Sequence, residues 1–396
     1  MKTRTAFGMA ALGAGIIAIT YGLARFVFGL VLPAIRADLG IGTDIAGIIG
    51  AVPFLSFIGA IAVGPAVAGR LGTRDGAALS AGLAALGLAA IAAAPGPIVL
   101  IAGVAVCGIA TGLSSPIMAR AVHTTVRPAL RGRVDATVNA GAAAGIAVAV
   151  PATILLQDAW RQIYASYAAL AAVGVIAALI RLPRRSEEPD PVSSPECPAS
   201  PLTPVRRAAI ARLSAAAMAM GFVSAIYWVF APDLTVTEGA ASPHAGAWMW
   251  LAVGLGGLAG GAAGDLLDRL GVAASHALAM VILSASLVVL AAEPGDPAAA
   301  MVSAATFGAA YVMLSGHYLV MGTRILADRP ALGPVLPLIA TASGQVVGAA
   351  ASGKAIAESG HVPAFLAFAA FGIVVAVLSY ATFLEIRRRV GLAPAQ

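Results

Sequence analysis

Gly264-Asp265-Leu266-Leu267-Asp268-Arg269-Leu270-Gly271 is a short charged island between two long apolar runs. Its last three residues repeat an earlier triplet, Arg70-Leu71-Gly72, at an offset of 199 residues. Working outward, Gly22 and Gly221 share that offset, and so do Pro33 and Pro232. Arg127-Pro128-Ala129-Leu130 returns as Arg329-Pro330-Ala331-Leu332 at 202, and Gly141-x-x-x-Gly145 as Gly344-x-x-x-Gly348 at 203. Ordered matches at a nearly constant offset mark an internal duplication, with small loop insertions behind the drift.

The medium that surrounds these repeats is set by composition. Of 396 residues, 60% are hydrophobic and 11% charged, against about 25% charged in a soluble domain. Too little charge is available to cover a water-facing surface, and disorder needs the opposite composition. A membrane crossing takes about 20 apolar residues. Apolar runs at 5–35, 45–69, 76–94, 97–119, 136–157, 162–180, 213–232, 239–264, 270–292, 297–323, 330–353 and 359–384 predict twelve such spans. Each is read as a helix, because an open strand cannot satisfy its backbone in lipid. The fold class is therefore all-α and polytopic: twelve transmembrane helices in two pseudosymmetric six-helix bundles. The predicted domains are 1–182, a cytoplasmic linker at 183–205 rich in Pro, Ser and Glu, and 206–396. The basic N-terminus resembles a signal peptide only briefly, since its apolar run continues to Ile35.

Charge sets the orientation. With the N-terminus inside, 20 of the 24 Lys and Arg fall on cytoplasmic segments. Arg36, Arg161 and Lys354 fall outside, and Arg25 lies within a span. The positive-inside rule then puts both termini in the cytoplasm of a multi-pass protein of the cell (inner or plasma) membrane. The net charge of +6 has the same origin and does not point to nucleic acid. Cys107 and Cys197 fall in different environments and form no disulfide framework.

The island resembles the G-x-x-x-D-R-x-G loop of the major facilitator superfamily. The first-half copy, Pro65-Ala66-Val67-Ala68-Gly69-Arg70-Leu71-Gly72, keeps Arg and Gly but has Gly69 where the family has Asp. Trp160-Arg161-x-x-Tyr164 and Gly360-x-x-x-x-Phe365 are also similar to family patterns. Tyr21-Gly22-Leu23-Ala24-Arg25-Phe26 with Pro33 looks most like the YbfB/YjiJ-like branch. The resemblance implies alternating access between two halves, with Arg70, Asp268 and Arg269 in the inner gate. It also implies that spans 1, 4, 7 and 10 line a cavity, and that Arg36 and Asp233 adjoin as an outer gate. The Gly-Pro antiporter pairing of span 5 is missing, as Pro151 comes six residues after Gly145.

Arg25 is the leading binding candidate. A charge inside a span costs at least about 2.5–3.5 kcal/mol and usually faces a cavity. On a regular helix Tyr21 and Phe28 share its face. The other candidates are Ser224, Tyr227 and Trp228 on span 7, Tyr311 and His317 on span 10, and Asn139 and Gln345 on spans 5 and 11. Thr111, Ser114 and Ser115 on span 4, Tyr318 on span 10 and Thr341 on span 11 add polar groups. The Asp and Glu residues read as loop or helix-end positions, which favours an anionic or neutral substrate. The expectation is a secondary active transporter of a small organic solute, an organic anion above all, with protons as a candidate coupling ion. No cofactor is expected, and one chain as monomer holds both halves. The alternatives are a proton-coupled exporter of lipophilic compounds and a transporter-shaped sensor, although 183–205 is too short for a signalling domain. An enzyme is disfavoured because His123, His244, His276, His317 and His361 scatter, and no nucleotide loop is present.

Overall fold

The computed structural model describes residues 3–156, 159–184, 202–239, 244–260, 263–329 and 332–390. It divides into two compact units, Met1–Ile41 with Val52–Pro195, and Gly42–Ala51 with Glu196–Gln396. The first unit opens with α1 (Thr3–Ile17), a π-helical segment (Ala18–Leu23) and α2 (Phe28–Leu39). It continues with α3 (Thr43–Ala92), α4 (Pro97–Thr125), α5 (Pro128–Leu156) and α6 (Trp160–Arg181). The second holds α7 (Pro204–Gly239), α8 (Ala245–Gly260), α9 (Ala263–Ala292), α10 (Pro297–Ile325), α11 (Leu332–Ser359) and α12 (His361–Val390).

Among the described residues, ten helical stretches are long and apolar enough to cross a membrane, and Ala245–Gly260 is a shorter apolar helix. The 50 residues of α3 would measure about 75 Å at 1.5 Å per residue. That is more than twice a hydrocarbon core of about 30 Å, so α3 is long enough for two crossings. It breaks at Gly72, where φ is 77°, and α9 breaks likewise at Gly271, where φ is 74°. A side chain would be strained at that φ, so glycine is needed at both turns. Gly72 and Gly271 are the repeated triplet ends, so the duplication appears as one backbone break made twice. Large apolar side chains remain exposed on the helices, among them Leu155, Ile98 and Leu378. Such surfaces suit lipid as solvent.

The repeat also governs packing. Within the first unit α5 packs on α1 and the π segment; within the second α11 packs on α7. Gly141 and Gly145 meet the backbone of Ala14 and Ala18, while Gly344 and Gly348 meet that of Met218 and Phe222. A Cβ at Gly145 would lie 2.7 Å from the Ala18 Cα, and one at Gly344 2.8 Å from the Met218 carbonyl carbon. Small-xxx-small stripes thus bring backbones into contact where lipid supplies no hydrophobic drive. The first turns of α3 belong to the second unit, and a Cβ at Gly47 would lie 2.9 Å from the Gly353 Cα.

Arginines close the helix ends. Arg131 donates from Nε and Nη2 to the carbonyls of Val126 and His123, at 3.0 and 2.7 Å, after α4 ends. Arg206 donates to the Ile325 carbonyl at 2.9 Å, at the end of α10, and to both carboxylate oxygens of Asp328. A cation there satisfies orphan carbonyls and complements the helix dipole. The Arg206 hydrogen bond holds the Asp328 carboxyl below its ordinary value of 3.8.

Gly344→Val is expected to cost about 1–3 kcal/mol by overpacking, read as a lower melting temperature in detergent. Gly59→Ala, which meets nothing within 4 Å, should leave it unchanged or slightly higher. Because the folded carboxyl of Asp328 is depressed, its contribution is present above pH 3.8 and fades as pH falls through the lowered value. The melting-temperature gap between wild type and Asp328→Asn should therefore close on acidification.

Candidate functional site

In the first unit the site begins with a backbone irregularity. The π segment widens one turn, and the helix is interrupted at Phe26 and Val27 before α2 starts. Phe26 N–H reaches back to the Tyr21 carbonyl at 3.2 Å, and Leu30 N–H to that of Val27 at 2.9 Å. A widened turn frees carbonyls, and Thr111 on α4 donates its hydroxyl to the Thr20 carbonyl at 2.6 Å. Thr20 Oγ1 lies 2.9 Å from Ser114 Oγ, and Tyr21 Oη 2.7 Å from Ser115 Oγ. The polar residues of α4 therefore fasten this irregular segment.

Arg25 sits at the break and is 6% exposed. Its guanidinium carbon lies 4.3 Å from the ring centroid of Phe57, 4.8 Å from Phe54, 5.3 Å from Phe26 and 5.7 Å from Tyr21. Each such contact contributes about 0.5–2 kcal/mol to holding the cation. Tyr21 is where the spacing predicts it. Phe28 is not one of these rings; it opens α2, because the interrupted helix invalidates i+3 spacing. Phe26, Phe54 and Phe57 escape a reading that assumes a straight helix and a single span.

In the second unit the candidates gather around Trp228. Its ring meets Tyr311 edge-on at 5.1 Å, Phe307 at 5.2 Å and Trp250 at 6.2 Å. Gln345 on α11 donates to the Tyr311 hydroxyl at 3.1 Å. Tyr227 is fully buried, stacked on Phe307 at 3.9 Å with its hydroxyl 3.0 Å from Ser303. Ser224 bonds back to the Gly221 carbonyl of its own helix. Trp228, Tyr311 and Gln345 thus form an amphipathic aromatic wall, which Tyr227 reaches through Phe307 while Ser224 bonds within its own helix.

His317 belongs to a different group. Its Nε2 is 2.7 Å from Ser275 on α9, and its Nδ1 is 2.8 Å from the Met313 carbonyl. His276, 6.5 Å away ring to ring, bonds Tyr318 at 2.8 Å and Ser379 at 3.0 Å. Tyr318 in turn donates to the Ala216 carbonyl. This buried network joins α7, α9, α10 and α12. His276 and Ser379 have no sequence signal beyond being polar within apolar runs.

Each gate candidate has its own surroundings within its unit. Asp233 does not end a span: α7 continues to Gly239 through Pro232, and Asp233 is 2% exposed. The premise that acids stay at loops and ends therefore fails for Asp233. It accepts from His361 Nε2 at 2.8 Å. Arg36 donates to the Ile41 carbonyl at 3.3 Å, just past α2. Arg70 is exposed two residues before the Gly72 break, and Asn139 is exposed on α5. The side chains of Asp268 and Arg269 lie outside the described residues. The Trp160-Arg161 motif acts as a clasp: Arg161 stacks 4.2 Å over Trp160, pairs with Asp38 and donates to the Ala94 carbonyl at 3.0 Å.

Two units of long apolar helices define a polytopic membrane protein. The sequence matches the Major Facilitator Superfamily over residues 14–331. The chain belongs to that superfamily, and it is a transporter rather than an enzyme. No curated protein matches the sequence. Among solved structures it resembles a mutant form of the nucleoside transporter NupG, at 15% identity and TM-score 0.76, covering 96% of this chain and 99% of that one. It resembles equally a bacterial homolog of the human lysosomal transporter Spinster, inward-facing and unoccupied, at 15% identity, TM-score 0.76 and 100% coverage of both chains. The xylose transporter XylE from E. coli matches at 15% identity and TM-score 0.75, over 96% of this chain and 98% of that one. At these identities the likeness is one of fold.

The aromatic stack gives a graded test. Phe307→Ala is expected to cost about 3–5 kcal/mol as a buried aromatic truncation. Tyr227→Phe, losing one hydrogen bond, should cost about 1 kcal/mol. Denaturant melts of both variants in detergent check the order.

Proposed function

We propose that the chain is a secondary active transporter of a small organic anion, and that Arg25 is the anion anchor. The observation that carries this reading is a buried guanidinium ringed by Tyr21, Phe26, Phe54 and Phe57 beside an irregular helical segment. Aromatic rings fix a cation's position, and a guanidinium has five N–H donors in one plane, suited to bidentate capture of a carboxylate. In the second unit, Trp228, Tyr311 and Gln345 are the binding candidates of this reading. In this reading Arg70, Asp268 and Arg269 gate the inner side, and Arg36 and Asp233 the outer. Twelve crossings, six-helix halves at 1–182 and 206–396, cytoplasmic termini and a monomeric machine complete it, on the strength of the repeat and the Lys and Arg distribution.

One observation favours a second reading, a proton-coupled exporter of lipophilic compounds. The wall around Trp228 is made chiefly of rings, and Asp233 supplies a buried acid.

A thermal-shift screen of detergent-purified protein separates them, with carboxylates, sugars and lipophilic cations on wild type, Arg25→Ala and Arg25→Lys. A ligand at 100 times its Kd stabilises by about 2.7 kcal/mol. Carboxylates are expected to raise the wild-type melting temperature and not that of Arg25→Ala, with Arg25→Lys between. Equal stabilisation of all three by lipophilic cations, and none by carboxylates, overturns the anion reading in favour of the exporter.

A further inference from the structure

One titratable cluster in the second unit is used by neither binding face. His361, the first residue of α12, touches two carboxylates through its two ring nitrogens. Nε2 lies 2.8 Å from Asp233 Oδ2, and Nδ1 lies 3.6 Å from Glu238 Oε1. Burial is graded along this line. The Glu238 side chain is 41% exposed, that of His361 6% and that of Asp233 3%. Asp233 and Glu238 stand five residues apart on α7, beyond Pro232, so the imidazole bridges a surface carboxylate and a buried one.

We propose that Glu238, His361 and Asp233 form a proton-loading relay, with His361 passing protons from the surface to the buried carboxylate. A proton collected at Glu238 adds to His361 Nδ1, giving an imidazolium. The imidazolium then releases its Nε2 proton to Asp233 Oδ2. The ring ends neutral with its hydrogen on Nδ1, Asp233 ends as the neutral acid, and Glu238 is again a carboxylate. One proton has moved inward and none is created. Imidazole suits the task because it can hold a proton on either ring nitrogen. Loading neutralises a buried charge, which changes the electrostatic cost of keeping Asp233 inside the protein.

The other ionisable groups described at this end of the second unit have their own places. Lys354 and Glu358 on α11 pair with each other at 3.8 Å and are exposed. Asp296 caps α10 through the Ala298 N–H. Glu293 precedes that turn, His244 precedes α8, and Asp44 lies in the first turn of α3. His361 stands within 4 Å of two carboxylates.

The relay rests on the transport reading for its purpose, but its proton movement can be measured on the protein without a substrate. Infrared difference spectra of purified protein after a pH drop follow the C=O stretch of a newly protonated carboxyl. Asp233→Asn is expected to abolish one such band. His361→Gln should slow its growth at least about tenfold, and Glu238→Gln several-fold, with the end point unchanged in Glu238→Gln. Lys354→Gln, which disturbs only the exposed pair, should leave rate and amplitude at wild-type values. A band that persists in Asp233→Asn, or one that grows at the wild-type rate in both His361→Gln and Glu238→Gln, overturns the relay. Should His361→Gln fail to fold, the exposed Glu238→Gln decides alone, and a wild-type rate there overturns the relay. A relay that works in these spectra while no solute moves in proteoliposomes would overturn the transport reading instead.

Discussion

Helices in lipid attract one another only as far as their surfaces let them approach, and here the approach is made by glycine. Gly141 and Gly145 bring α5 onto α1 and the π segment, and Gly344 and Gly348 bring α11 onto α7. Everything placed near these seams inherits its position from them. The π segment is held between α4 and α5, so Arg25 emerges at a defined height. Gln345 follows Gly344 by one residue, which lets it reach Tyr311. A larger residue in either stripe would move the candidate binding residues along with the helices.

Several buried polar side chains near the two candidate sites are hydrogen-bonded within their own unit. His276 and His317 each have partners at both ring nitrogens. Thr111 bonds two backbone carbonyls, while Ser114 and Ser303 each join a carbonyl to a second hydroxyl. Buried polar groups in a hydrocarbon medium demand such closure. The exposed charges differ: Arg131, Arg161 and Arg206 sit at helix ends, where unpaired carbonyls collect. Position along the helix therefore separates the structural arginines from Arg25.

The fold was legible in the sequence because its determinants are local and periodic. Apolar runs specify helices, and a repeated Arg-Leu-Gly specifies two identical breaks. The candidate site was legible only in part. Arg25 stood out because charge is rare in a span, and Tyr21 because it lies one turn away. Phe54 and Phe57 come from another helix, and no spacing rule connects them to Arg25. Phe28 was misplaced by assuming a regular helix where the backbone is π-helical and then interrupted. Asp233 was misread for a related reason. Proline at 232 reads as a terminus, yet α7 accommodates it and runs on, carrying the acid into the interior. The His361 contact was invisible because its partners lie more than a hundred residues earlier in the chain.

The π segment at Ala18–Leu23 constrains how this chain can vary. A π turn is in effect one residue too many for an α-helix. Removing any one of those six residues would restore the regular ladder and rotate α1 by about 100° relative to α2. The seam glycines would then face one way and Arg25 another. The length of this segment is thus under tighter constraint than much of its composition: away from Gly22, which abuts Gly145, and from Thr20 and Tyr21, whose hydroxyls reach Ser114 and Ser115, side chains here can be exchanged for others of similar size. A deletion, by contrast, breaks the phase between the packing face and the charge.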